Sequence, residues 1–255
     1  IAVYGHGAKD VRSMHMAYRK KIISAGPLVK EIIYPYRSGG SSSNGRRRTG
    51  TSSEAQRRMN AIYSWQKLEL LLAANLVKGD VVGCLTFDDY HLPETREQVR
   101  NKFKWFLDKL RAAREERGQN LVMFWSIEHL HGEGRWHIHI ACNATGSDYE
   151  EMLRLWGQGE CEFNALRVDK KKNYETLARY MAKEERDKVG QRSWSYTRNA
   201  KKPEVESFSV REFTPLRVPK DTTVFEDVRS RGEWQYIKYA YNNALKVRRH
   251  RRRRS

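Results

Sequence analysis

The sequence predicts an α+β fold in which a central, largely antiparallel sheet is flanked by helices. Three observations predict it. Apolar, β-branched runs read as strands, stretches with helical spacing of apolar residues lie between them, and residues 121–140 have the pattern of a β-hairpin. The predicted order is strand, helix, hairpin, helix, strand, helix, which is typical of this class.

Composition points to a nucleic-acid partner. A chain of 255 residues suits one domain with an appendage, and its net charge of +18 favours nucleic acid first and an acidic membrane second. No apolar run reaches membrane-spanning length. The three cysteines are isolated, which predicts reduced thiols in a cytosolic or nuclear protein.

The chain divides into four predicted segments. Residues 246–255 form an Arg-rich tail that is either a solvated chain or a nucleic-acid-binding arm. The linker carries Arg46, Arg47 and Arg48, which are candidate DNA contacts. The other segments are a basic N-terminal segment with a Gly/Ser/Arg-rich linker at 1–53, a main domain at 54–200 and a C-terminal extension at 201–245.

The first elements are predicted from caps and periodicity. Residues 31–36 form a short β-like run, and residues 1–30 show no clear period. Ser53 is a candidate N-cap for a helix whose apolar spacing continues to Leu76. Next come a buried strand at 81–87 and a strongly amphipathic helix at 95–117.

The later elements follow the hairpin. They are a helix between Ser147 and Gly157, a strand at 160–168, a helix from an Asn173 cap to about Lys188, short strands at 193–199 and 205–213, and a tyrosine-rich helix at 234–247.

The hairpin brings one carboxylate and two imidazoles together. Alternation puts His137 and His139 on one face of the second strand. A two-residue turn at 132–133 would place Glu128 opposite His137, and one at 133–134 would place it opposite His139. Either register leaves Glu128 on the face of the imidazoles, whereas a three-residue loop would reverse it.

These three side chains are candidate ligands for a divalent cation, because two imidazoles and a carboxylate on a rigid sheet suit such an ion. His129 and His131 are a rival pair with the same spacing. His137 and His139 are favoured because apolar residues follow them, as expected for a central strand.

A second informative stretch lies on the helix after Asn173. Leu177, Tyr180 and Lys183 share one stripe, so Leu177 would anchor the helix while the tyrosine and lysine are displayed together. Alone, such a pair is more often an aromatic residue at the edge of the core beside a solvated lysine. Tyr174 lies about 240° around the helix from Tyr180 and would point elsewhere.

Taken together and in this order, three motifs resemble those of the HUH endonuclease superfamily, particularly the replication-initiation proteins of phages, rolling-circle plasmids and integrated bacterial elements. Residues 83–87 resemble the first motif. Glu128 with residues 137–139 resembles the metal motif, and residues 177–183 resemble the nucleophile motif. The resemblance covers residues 50 to 200.

The resemblance implies the HUH, ferredoxin-like nuclease fold for residues 54–200. It also implies Mg²⁺ or Mn²⁺ held by Glu128, His137 and His139. Tyr180 would be a single nucleophile that forms a 5′-phosphotyrosine, assisted by Lys183. The implied substrate is single-stranded DNA or a DNA hairpin at a replication origin, with host replication proteins as further candidate partners. The implied location is the bacterial cytoplasm, or the nucleus of a eukaryotic host.

Arg135, Trp136 and Arg179 are further candidate DNA contacts near the site. Two alternative functions stay open. A transposase or relaxase of the same superfamily would share all the chemistry. A non-catalytic nucleic-acid-binding protein of the same sheet architecture would need stacking aromatics on the strand face where Glu128, His137 and His139 are predicted.

Overall fold

The computed structural model describes residues 17–36, 53–129, 134–183, 192–230 and 233–242. These residues form two five-stranded antiparallel sheets and four α-helices, so the predicted α+β class is confirmed. The linker arginines Arg46, Arg47 and Arg48 and the Arg-rich tail lie outside the described residues. Among the helices described, none is long and apolar enough to cross a membrane.

The first sheet contains the predicted hairpin at its centre. Its strand order is β6-β3-β5-β4-β7. The hairpin strands β4 and β5 pair with β7 and β3 on their outer sides. The strands are β3 (Val81–Leu85), β4 (Met123–His129), β5 (Trp136–Cys142), β6 (Cys161–Ala165) and β7 (Trp194–Tyr196).

One face of this sheet is covered by helices α2 (Arg96–Glu116) and α3 (Tyr149–Trp156). The side chain of Thr95 caps α2 by accepting a hydrogen bond from the Gln98 amide. The buried stripe of α2 then packs on the apolar side chains of β3, β4 and β5. The members of that stripe are Val99, Phe103, Phe106, Leu107 and Leu110.

The other face of the first sheet packs against α1 (Glu54–Asn75) and α4 (Glu175–Met181). Ser53 caps α1 as predicted, because its hydroxyl accepts a hydrogen bond from the Gln56 amide at 3.2 Å. The C-terminal half of α1 and the inner side of α4 share one apolar core with the sheet. That core includes Leu68, Leu72, Phe124, Ala141, Ala178 and Met181.

The second sheet joins the two ends of the described chain. Its order is β8-β1-β2-β10-β9. The predicted strands at 31–36 and 205–213 correspond to β2 and β8, whereas β1 falls in the region without a clear sequence period. The strands are β1 (Ala17–Ala25), β2 (Leu28–Tyr36), β8 (Glu204–Val210), β9 (Thr222–Arg229) and β10 (Gln235–Tyr241).

The predicted helix at 234–247 is wrong for its described part, because residues 235–241 form strand β10 between β2 and β9. Both faces of β10 are covered. Ile237 and Tyr239 belong to an apolar core on one side, while the side chain of Lys238 is buried on the other. A strand buried on both faces loses the polar–apolar alternation by which it would be recognised.

Helices α1 and α4 therefore lie between the two sheets. The turn between β1 and β2 approaches α1 so closely that a Cβ atom on Gly26 would lie 2.2 Å from the Ala73 carbonyl oxygen. Gly26 also has a φ of +57°, which favours glycine. The division of the chain at residues 53, 200 and 245 stays a prediction.

Candidate active site

The register of the hairpin places Glu128 directly opposite His137. This is the first of the two registers that the glycine positions predict, and the turn residues 130–133 lie outside the described chain. His139, two residues further along β5, lies between Ser126 on β4 and Cys84 on β3. Glu128, His137 and His139 thus share one face of the central strands, the face on which α4 packs.

Glu128 and His139 are in direct contact. The Nε2 atom of His139 donates a hydrogen bond to Oε2 of Glu128 at 2.6 Å, and both residues are buried. The other carboxylate oxygen, Oε1, is 2.9 Å from the Nζ atom of Lys183. Lys183 follows the end of α4, so this ion pair joins the helix to the hairpin.

The surroundings set the charge states of this pair. Burial acts to raise the pKa of Glu128, but hydrogen bonds from Lys183 and His139 outweigh burial and lower the pKa below its ordinary value. For His139 burial is the largest influence and lowers the pKa, although the Glu128 carboxylate opposes that shift. The site therefore holds a carboxylate beside a neutral imidazole, the form in which histidine binds metals.

The Tyr180 hydroxyl lies against the same imidazole. Its oxygen is 3.3 Å from Nε2 and 3.4 Å from Nδ1 of His139, and the two rings meet edge to face with centroids 4.8 Å apart. Tyr180 is nevertheless 45% exposed, so solvent and a large ligand can reach it. The Lys183 ammonium lies 4.3 Å from the centroid of its ring.

Helix α4 aims Tyr180 into the site because its neighbours anchor the helix. Ala178 and Met181 are buried in the core between the helix and the sheet. The helix begins after Tyr174 and ends at Met181, so it is shorter than the predicted span from Asn173 to Lys188. Asn173 has a φ of +56° and serves the preceding turn, where its side chain accepts a hydrogen bond from the Tyr174 amide.

Tyr174 points away from the site, as the helical geometry predicts. Its side chain is buried and its hydroxyl donates a hydrogen bond to the carbonyl oxygen of Leu76 at the end of α1. Burial raises the pKa of Tyr174 to about 12. Tyr174 is thus a core residue that fastens α4 to α1.

Two further polar residues lie on the site face that sequence reasoning did not identify. The Sγ atom of Cys84 is 3.7 Å from Nδ1 of His137, and Glu162 on β6 is directly opposite Cys84. Burial, followed by the nearby Glu128 and Glu162 carboxylates, raises the pKa of Cys84 to about 11. Alternation within the strands could have placed both on this face, but only with the order β6-β3-β5 already known.

The rival histidine pair is not on this face. His129 lies opposite Trp136, and their rings stack with centroids 4.0 Å apart. Trp136 is buried in the core that faces α2, a position that does not suit its predicted contact with DNA. His131 lies outside the described residues.

The two described arginines predicted to contact DNA are partly exposed and already engaged. Arg135 forms an ion pair with Asp89 and donates a hydrogen bond to the Phe87 carbonyl oxygen. Arg179 pairs with Glu175 at 2.8 Å, and its guanidinium group lies 3.8 Å above the ring of Trp65. Both side chains stay about half exposed, at 51% and 52%.

The donor types on the site face suit a hard divalent cation, since a carboxylate and two imidazoles lie on adjacent strands. Within the described residues, no three His, Cys, Asp or Glu side chains are already converged as a metal site. The hydrogen bond between Glu128 and His139 explains this, because each occupies the atom that the other would offer to an ion.

Residues 80–185 match the family model of the replication-associated protein ORF2. This part of the chain is similar to replication-associated proteins. The matched segment runs from just before β3 to just after α4, so it contains the hairpin, Tyr180 and Lys183. The match supports a role in DNA replication. Neither the curated proteins nor the solved structures gave a match.

Proposed function

We propose that this protein is a site-specific nuclease that cuts and rejoins single-stranded DNA to initiate replication. The observation that carries the proposal is the contact of the Tyr180 hydroxyl with His139, inside a segment that matches a replication-associated family. A partly exposed phenol beside a buried polar cluster has both the access and the setting that a nucleophile needs.

The proposed reaction is a transesterification at phosphorus. The Tyr180 oxygen bonds to the phosphorus atom in line with the O3′ leaving group, and the bond from phosphorus to O3′ breaks. The phenol proton passes to solvent, and the departing O3′ takes up a proton to become a free 3′-hydroxyl. The product is a 5′-phosphotyrosine, whose ester bond can be attacked by another 3′-hydroxyl to rejoin strands.

Lys183 has two roles in this scheme. Burial raises the pKa of Tyr180, whereas the Lys183 ammonium group lowers it, so Lys183 favours the phenolate that attacks. Its ion pair with Glu128 also fixes the end of α4 against the hairpin. The Tyr180 oxygen is thereby oriented over the imidazole of His139.

Glu128, His137 and His139 would hold Mg²⁺ or Mn²⁺ in this proposal, and they would first have to give up the hydrogen bond between Glu128 and His139. When bound, such a cation supplies Lewis-acid stabilisation of the charge that develops on the phosphate. The neutral state of His139 favours this use, because a protonated imidazole cannot bind a metal.

The proposal is tested with labelled single-stranded fragments of the DNA element that encodes the protein. We expect the wild type with Mn²⁺ to give a protease-sensitive covalent band on a denaturing gel, and Tyr180→Phe to give none while still binding DNA. Tyr174→Phe is the matched control, because it removes a buried hydroxyl from the same helix region, and it should still form the adduct. Adduct formation by Tyr180→Phe, or none by the wild type, would contradict the proposal.

A further inference from the structure

The second sheet extends beyond the helices that cover it. On the face that packs against α1, burial decreases along β2, where Leu28 and Lys30 are buried but Ile32, Tyr34 and Tyr36 are only half-buried. The same change occurs along β1, in which Ala25 is buried and the residues that share its face back to Ala17 are not. Half of this face therefore lies outside the helix layer.

The open half of the face carries aromatic and basic side chains. Arg19 lies opposite Tyr34, and its guanidinium group sits 4.1 Å from the centroid of the Tyr36 ring. Lys21 lies one position further on the same face of β1. We call Arg19, Lys21, Tyr34 and Tyr36 the tyrosine–arginine platform.

The platform has a single sign of charge. On β8, the residues opposite Lys21 and Arg19 are Ser207 and Ser209, and the Ser209 hydroxyl is 2.7 Å from the Tyr36 hydroxyl. On the other side, Tyr236 lies opposite Ile32 and Val228. Within these described strand pairs, the open half of the face carries two cations and no carboxylate.

The platform extends toward the end of the molecule that holds Tyr180. Lys30 on β2 contacts Glu69, and the turn before β2 contacts Ala73, so β2 runs antiparallel to α1. Helix α4 also runs antiparallel to α1, because Tyr174 reaches Leu76 while Arg179 stacks on Trp65. Moving from Lys30 to Tyr36 therefore follows the same direction as moving from Glu175 to Tyr180.

We propose that the tyrosine–arginine platform binds single-stranded DNA flanking the site of cleavage, with bases stacked on its two tyrosines. Tyr34 and Tyr36 are about 6.8 Å apart along the strand, twice the ~3.4 Å spacing of stacked bases, so one base fits between their rings. Arg19 and Lys21 lie where they can neutralise the phosphates. Such a combination of stacking aromatics and cations binds single strands with little sequence preference.

This inference names a second contact for the DNA of the proposed function, but its test does not depend on cleavage. All variants carry Tyr180→Phe, and binding is measured by fluorescence anisotropy in EDTA. Two probes are used, oligothymidylates of about 8 and about 24 nucleotides. Only the longer strand can reach the proposed platform as well as the site.

We expect Tyr34→Ala and Tyr36→Ala each to weaken binding of the longer strand about tenfold and to leave the shorter strand unaffected. Tyr34→Phe with Tyr36→Phe should keep the wild-type affinity, because the rings remain. Trp105→Ala is the matched control. Trp105 is an exposed aromatic residue that also carries a cation, Lys109 at 3.6 Å, but it lies on α2 beyond the first sheet.

Unchanged binding of the longer strand by both alanine variants would overturn the inference, as would equal losses for Trp105→Ala. Equal losses for the short and long strands would also overturn it, because they would indicate a general defect. The two proposals fail separately. A wild type that forms no adduct but shows length-dependent binding through the platform contradicts only the nuclease. An adduct with no platform effect contradicts only this inference.

Discussion

Lys238 on β10 and Glu175 on α4 form a buried ion pair, with Nζ 2.8 Å from Oε2. Lys238 is 1% exposed and also lies 2.7 Å from Glu69 on α1 and 3.2 Å from Glu226 on β9. A strand near the C-terminal end of the described chain thus holds the helix that carries Tyr180. The second sheet is structurally coupled to the candidate site through this lysine.

Removing this coupling should slow cleavage. Lys238→Met leaves Glu69 and Glu175 without their shared cation, which typically costs about 3–5 kcal/mol of folding free energy. Because α4 would lose its anchor to the second sheet, we expect the single-turnover rate of adduct formation to fall on the order of a hundredfold. The rate is measured with DNA already bound, at a temperature where the variant is folded.

Lys30→Met is the matched control for Lys238→Met. Lys30 pairs with the same buried Glu69, at 2.6 Å, but makes no ion pair with α4. It should therefore lower the melting temperature without slowing adduct formation in the folded protein. Equal rates for the two variants would show that Lys238 serves stability alone.

Glu175 should make the stability of the protein depend on acid pH. Burial acts to raise its pKa, but hydrogen bonds with Lys238 and Arg179 outweigh burial and hold the pKa below its ordinary value of 4.5. A carboxyl with a depressed folded-state pKa stabilises the fold above its unfolded pKa, and that contribution is lost as pH falls through the folded pKa. Glu175→Gln should therefore be less stable than the wild type near pH 7, and the difference should shrink below about pH 4.5.

The measurement is urea unfolding of both proteins across this pH range. Glu54→Gln provides the control, because Glu54 makes an exposed ion pair with Arg58 within α1. That variant should stay close to the wild type at every pH, since exposed pairs contribute little. A stability difference for Glu175→Gln that persists unchanged into strong acid would refute the assignment.

Local patterns sufficed to predict the hairpin and the nucleophile helix. The register of Glu128 opposite His137 follows from side-chain alternation and a glycine-rich turn, and the orientation of Tyr180 follows from helical spacing. Both depend on residues close in sequence. The side chains that meet from different elements, such as Tyr180 and His139, required the resemblance as well.

The second sheet could not be predicted in the same way. Its inner pairs join β1 with β8 and β2 with β10, so they depend on contacts between the two ends of the chain. Strand β1 carries consecutive cations, and β10 is buried on both faces, so neither shows a clear period of two. The ion pairs of Lys238 are equally non-local, and nothing in the sequence near Glu175 indicates its partner.

The two histidine pairs of the hairpin should differ in metal binding. His137 shares a face with Glu128, whereas His129 stacks on Trp136 on the opposite face. We expect His137→Ala to weaken Mn²⁺ binding by more than about tenfold, since changes even to outer-shell groups of a metal site have effects of that size. His129→Ala should bind Mn²⁺ as the wild type does. Calorimetric titration with Mn²⁺ alone checks this without reference to activity, and the reverse order of affinities would exclude the proposed ligands.

Lys183 should act on the reactivity of Tyr180 more than on folding or DNA affinity. Its side chain is 43% exposed, so Lys183→Met should leave the melting temperature nearly unchanged. Losing the cation removes an influence that lowers the pKa of Tyr180, so adduct formation should slow on the order of a hundredfold and its rise with pH should shift upward. Lys183→Arg keeps the positive charge and should recover most of the rate at the wild-type pH. A pH profile of adduct formation that is identical in Lys183→Met and the wild type would show that the ammonium group does not assist ionisation of the phenol.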